Sequence, residues 1–136
     1  MRFLAIDYGD KRTGLAMCDP GETIASPLCV VQGQSETLQA ILTVVKEEGV
    51  EGIVVGLPLN MDDSEGEQAK RVRAFARDLS QHLVIPIYFQ DERLSSFTAE
   101  NMLADLNLTR SQKKRVMDAV AAAQILEAFL EGRKKD

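Results

Sequence analysis

Four apolar residues in a row, Phe3-Leu4-Ala5-Ile6, run directly into Asp7. A polar, Gly-bearing bend from Tyr8 to Arg12 then turns the chain into a second β-prone run, Thr13 to Cys18. The pattern reads strand, turn, returning strand. Phe3, Ala5 and Asp7 alternate at period two, so all three side chains leave the same face of the first strand. A carboxylate at the end of a core strand is costly unless something pairs with it. Whatever fold this chain adopts must supply Asp7 with company.

The rest of the chain reads in order from that hairpin. Asp19-Pro20-Gly21 signals a turn, and Thr23 to Val31 reads as a third strand, with Pro27 marking it as an edge strand or an irregular one. Ser35 is expected to cap a helix reaching Glu48, with Leu38, Ile41, Leu42 and Val45 on one face and Gly49 as its stop. Residues 52–57 (GIVVGL) form a continuous apolar run, the signature of a strand covered on both faces. After a polar loop over 59–66, Ser64 and Glu67 match a capping box for a helix to about Gln81, whose inner face is Ala69, Val72, Phe75, Ala76 and Leu79. A fifth strand, Val84 to Gln90, leads into Asp91-Glu92-Arg93. A further helix is predicted from Ser95 or Ser96 to about Asp105. The last helix opens on the capping box Thr109/Gln112 and is expected to end at Gly132. The order βββ-α-β-α-β-α-α implies an α/β fold: a mixed five-stranded sheet, antiparallel meander first and βα units after, with helices on both faces. The 136 residues are expected to form a single domain, 1–136.

Composition narrows the chemistry. There is one histidine, His82, at a predicted helix end, which disfavours Ser-His-Asp catalysis. Two cysteines, Cys18 and Cys29, without a histidine partner make no zinc site and read as core thiols. No apolar run approaches membrane-spanning length and no signal peptide opens the chain, so a cytoplasmic protein without membrane attachment is expected. The net charge of −5 argues against a non-specific nucleic-acid binder, unless several of the acids are gathered around cations.

Three places put carboxylates where packing alone would not want them. Asp7 is the first. Asp91 and Glu92, directly after the fifth strand, are the second. If the first and fifth strands run parallel, these acids share the edge of the sheet where ligands bind. Asp118 is the third. It heads the helical column Asp118, Ala122, Ile125, Phe129, which is otherwise apolar, and alanines at 119, 121, 122 and 123 allow that helix to approach its neighbour closely. A buried pair with an arginine such as Arg115 would be the plain structural explanation for Asp118. Carboxylates converging without His or Cys suit Mg²⁺ or Mn²⁺, and two such ions are a device for phosphodiester hydrolysis. Lys11 and Arg12 lie in the opening turn, Arg93 follows the acidic pair, and Arg110, Lys113, Lys114 and Arg115 precede Asp118. Cations at a helix start oppose the macrodipole, and phosphate contact would explain them.

DYGDKRTGLA (7–16), GLPLNMD (56–62), DERLSS (91–96) and DAVAAAQILEAFL (118–130) together resemble the YqgF-type proteins, small bacterial relatives of RuvC. The resemblance spans nearly the whole chain in the right order. It implies a ribonuclease H-like fold and a metal-dependent nuclease acting on pre-16S rRNA in ribosome biogenesis, or, on an older description of the family, on Holliday junctions. It implies that Asp7, Asp91 or Glu92, and Asp118 are catalytic and supply the metal ligands, Glu92 being favoured within the pair for its reach. Lys11, Arg12 and Arg93 match positions facing substrate, and Lys113, Lys114 and Arg115 extend that nucleic-acid surface. The expected partner is a structured rRNA precursor, with branched DNA as the alternative, bound by a monomer or a homodimer. One position departs from the family pattern: Asp63 stands where a glycine is usual, which points to a bend at positive φ.

Two rival readings use the same residues. D-x-G-x-x-x-x-G from Asp7 to Gly14 also resembles the first phosphate-binding turn of the actin and sugar-kinase ATPases, but these enclose nucleotide between two domains and this chain has length for one. A non-catalytic nucleic-acid-binding regulator could keep the fold, although it would have no use for costly carboxylates at all three places.

Overall fold

The computed structural model describes residues 1–92 and 109–134, with the backbone alone described over 110–115. The elements are β1 (Phe3–Asp7), β2 (Arg12–Cys18), β3 (Ala25–Gln32), α1 (Gln34–Glu48), β4 (Gly52–Leu57), α2 (Glu67–Ser80), β5 (Ile87–Asp91) and α3 (Arg110–Lys134). The helix predicted between 95 and 105 lies outside the described residues.

The five strands form one mixed sheet in the order β3-β2-β1-β4-β5. β1, β2 and β3 pair antiparallel, as expected of a meander, whereas β4 runs parallel to β1 and β5 parallel to β4. The period-two pattern of β1 splits its side chains between two cores. Leu4 and Ile6 face α1 and α2, packing with Ile41, Ile53, Val55, Val72 and Leu79. Phe3 and Ala5 face α3, packing with Ala16, Val54, Ala122, Ile125 and Leu126. Every residue of β4 is buried, because this central strand is covered on both sides. Each large aliphatic side chain so buried contributes about 1.5–3 kcal/mol.

Local chemistry departs from expectation at the helix ends. α2 starts at Glu67 behind Gly66, with no side-chain cap. Ser64 is diverted into the preceding loop, where its hydroxyl donates to Asp62 Oδ1 and accepts from Asn60 Nδ2. α1 starts two residues earlier than expected, behind Gly33, and Ser35 bonds Glu36 instead of capping. Gly49 closes α1 in the left-handed conformation, as its sequence position suggests. Gly132 does not end α3, which continues to Lys134, where Arg133 is held by Glu22 at 2.8 Å.

Pro27 sits on the edge strand β3, and the β2–β3 register shifts between Leu15 and Ala16. Cys18 is buried, but Cys29 is exposed, contrary to the core thiol expected, because it lies on the edge strand β3. Asp63 adopts a φ of 69°, the positive-φ bend that the departure from the family pattern indicates. None of the described helices is long and apolar enough to cross a membrane.

Candidate active site

Parallel strands β1, β4 and β5 finish on one edge of the sheet, and that edge collects the acids. Asp7 closes β1 and Asp91 closes β5, with the end of β4 between them. Asp91 pairs with Leu57, whose side chain belongs to the α1/α2 core, so Asp91 is directed to that face. Glu92, one residue further, is directed to the opposite face. Its amide still bonds to the Leu57 carbonyl at 3.3 Å, and its carboxylate reaches across the end of β4 toward α3.

Two glycines make the room. A Cβ on Gly56 would stand 2.5 Å from both Glu92 Oε2 and Ile125 Cδ1, so only a bare backbone lets Glu92 cross there. A Cβ on Gly14 would overlap the Asp118 carbonyl. Gly14 is also the register partner of Asp7. The strand β2 and the helix α3 therefore touch backbone to backbone beside Asp7, and this contact delivers Asp118 to the site. Sequence analysis met both glycines only as members of longer motifs and assigned neither a close approach, although glycine inside a strand is the recognised mark of one.

Asp7, Glu92 and Asp118 are thereby within electrostatic reach of one another. Asp7 hydrogen-bonds Glu92 and feels the charge of both Glu92 and Asp118. Burial, and then those two neighbouring charges, push the Asp7 carboxyl up to about 8. Burial also raises Glu92, with Asp91 adding to the rise and the hydrogen bond from Asp7 opposing it. The two carboxyls face each other through a hydrogen bond, and both are shifted upward. Asp91 adds its charge beside Glu92. Asp118 is raised by burial and held back by Arg12.

Arg12 is the cation that sequence reasoning assigned to phosphate rather than to the acids. Its Nε lies 3.1 Å from Asp118 Oδ2. Alternation along β2 explains the placement: Ala16 and Cys18 belong to the α3-facing core, and Arg12 and Gly14 share their face. Asp118 thus has an arginine partner in Arg12; the Arg115 pairing weighed from the sequence falls on a side chain outside the described residues. Lys11 is exposed on the turn. Arg93 and the side chains of Lys113, Lys114 and Arg115 lie outside the described residues. The large groove of about 610 Å³ lined by Tyr8, Leu38, Arg71 and Phe75 holds none of the three acids. A smaller groove of about 330 Å³, between β3 and α3, is lined by Val116 and Ala119, which flank Asp118 in sequence.

The donor set fits a hard divalent cation: carboxylate oxygens only, crowded enough that Asp7 is pushed well above its ordinary value, with Asp118 Oδ2 buried and making no hydrogen bond among the described residues. The fit is incomplete as it stands. Among the described residues no three acids, histidines or cysteines already close on a single point, and Asp118 is turned to Arg12.

Comparison with known proteins gives this geometry a family. A family model described as "RuvX: Holliday junction resolvase" matches residues 1–132. A protein of Roseiflexus sp. (strain RS-1) named "Putative pre-16S rRNA nuclease" is 40% identical over 135 residues, spanning 98% of this chain and 96% of its own. A protein of the same name from Syntrophomonas wolfei is 41% identical over 134 residues, spanning 97% and 95%. Among solved structures, T. thermophilus RuvC in complex with Holliday junction substrate aligns with a TM-score of 0.64 and 16% identity, over 98% of this chain and 96% of that one. That likeness shows the fold, which is ribonuclease H-like. With a match along almost its whole length and relatives at about 40% identity, this chain belongs to the RuvX family.

Proposed function

We propose that this protein is a Mg²⁺- or Mn²⁺-dependent endonuclease that processes the 5′ end of pre-16S rRNA in the cytoplasm. The observation that carries the reading is the meeting of Asp7, Glu92 and Asp118 at one sheet edge, reached from three separate elements and made possible by Gly14 and Gly56. Asp7, Glu92 and Asp118 would hold the cation, most simply as a pair of ions. Such a pair, when bound, supplies an activated water and stabilises the leaving oxygen of a phosphodiester. The names of the curated relatives support the rRNA substrate.

The chain's own residues prepare the site. Glu92 is drawn over Gly56 toward Asp7, and a cation bound there would offset the charge of the crowded carboxylates. Asp91, facing the other side of β5, adds negative potential that favours a cation near Glu92. Lys11, Arg12, Arg93, Lys113, Lys114 and Arg115 are assigned to the phosphate backbone, which would reconcile an acidic protein with an anionic substrate.

A second reading, cleavage of branched DNA, is favoured by the description of the matching family and by the junction-bound RuvC neighbour. Side-by-side digestion of a pre-16S rRNA 5′ fragment and a four-way DNA junction, with and without Mn²⁺, separates the two. Metal-dependent cuts in the rRNA fragment are expected, absent from Asp7→Asn and Asp118→Asn. Cleavage by either variant at the wild-type rate would refute the assignment of these acids. Preferential cutting of the junction would transfer the activity to the second reading.

A further inference from the structure

Arg12 and a bound cation cannot both own Asp118. Asp118 Oδ2 is buried, faces Arg12 Nε at 3.1 Å, and makes no hydrogen bond among the described residues, so the pair is held by charge without the directed bonding that locks an arginine in place. The guanidinium is not sealed in: the Arg12 side chain is 36% exposed and that of Asp118 is 25% exposed. The backbones on either side cannot yield, because Gly14 and Asp118 are already in contact. Any change of partner at Asp118 must come from the two side chains.

We propose that Arg12 is a positioning residue, an internal counter-ion that occupies Asp118 until a divalent cation displaces it and thereby turns its guanidinium toward the substrate phosphate. This rests on the reading of Asp7, Glu92 and Asp118 as cation ligands. In the cation-free protein Arg12 neutralises Asp118 and lessens the repulsion among the three acids. On cation binding the same positive charge becomes superfluous at Asp118, and its exposed side leaves it free to meet a phosphate. One residue then serves both states, and cation and nucleic acid favour each other's binding through it, a coupling that is reciprocal by linkage.

The test is calorimetric titration of the full chain with Mn²⁺ in the absence of nucleic acid. Wild type is compared with the neutral variants Arg12→Gln and Arg12→Met, each alone and in an Asp118→Asn background, so that either can decide if the other folds poorly. Loss of the competing charge should tighten Mn²⁺ binding about threefold to tenfold in the wild-type background. The gain should vanish when Asp118 is Asn, because there is then nothing to compete for. Unchanged or weaker Mn²⁺ binding by the Arg12 variants would overturn the proposal. So would an equal gain in the Asp118→Asn background, which would mean a general field effect. If wild type binds no Mn²⁺, or binds it as tightly when Asp7 is Asn, the ligand assignment itself fails, an outcome distinguishable from failure of the counter-ion role.

Discussion

In the absence of divalent cations, pH should govern the stability of this protein through Asp7. In the fold Asp7 titrates near 8, against an ordinary value of 3.8. Between those values the folded chain carries a proton that the unfolded chain has already lost, so the native state binds more protons and stability falls as pH rises. The contribution is fully present below pH 4 and is lost by the time pH passes 8. The slope is at most about 1.36 kcal/mol per unit, so the three units from pH 5 to 8 set a ceiling of about 4 kcal/mol. Glu92 and Asp118 are also raised and push the same way, while water reaching the partly exposed site reduces the total. A loss of roughly 2–4 kcal/mol corresponds to a fall in Tm on the order of 10 °C for a domain of this size. Thermal unfolding in EDTA, followed by circular dichroism from pH 5 to 8, measures it. Asp7→Asn, which cannot ionise but keeps a donor for Glu92, should flatten most of the profile and exceed wild type in stability at pH 8. Added Mn²⁺ should restore wild type far more than the variant. A wild-type Tm that is level or rising over this range in EDTA, with Asp7→Asn no more stable at pH 8, would refute the account of Asp7 as a desolvated acid crowded by two others.

Other perturbations follow from the packing around the site. Gly56→Ala forces a methyl against Glu92 and Ile125 and should cost about 1–3 kcal/mol in urea denaturation, while also weakening Mn²⁺ binding because Glu92 is displaced. Ile125→Ala, at a fully buried position on the sheet-facing side of α3, should cost about 2–5 kcal/mol, read from the same urea midpoint. Asp63→Gly removes a side chain from a φ of 69° and should raise stability by about 0.5 kcal/mol, with the Asp63 N–H to Asn60 bond retained; a loss greater than that would show that the aspartate side chain holds the loop.

The order of elements was legible because each carries its own periodicity. β4 announces itself as a buried strand by six apolar or glycine residues in a row, and the inner face of α2 was read residue by residue. Asp7 and Asp118 were legible for the opposite reason: each interrupts an apolar pattern that would otherwise be complete. Caps were misread because Ser64 and Ser35 have local partners, Asp62 and Glu36, that compete with the helix amides, and a motif four residues long cannot weigh them.

What the sequence determined by itself was that acids interrupt the pattern at the end of the first strand, after the fifth, and on an alanine-rich helix. Which acids meet was decided only by tertiary structure. Asp91 and Glu92 are equivalent as letters, but register with Leu57 turns one to each side of the sheet and puts Glu92 alone over Gly56. Nothing in the chain order links Arg12 to Asp118, but strand alternation and the Gly14 contact bring the two together across more than a hundred residues. Periodicity is local and survives in one dimension. Pairing depends on the distance between elements, which packing alone sets.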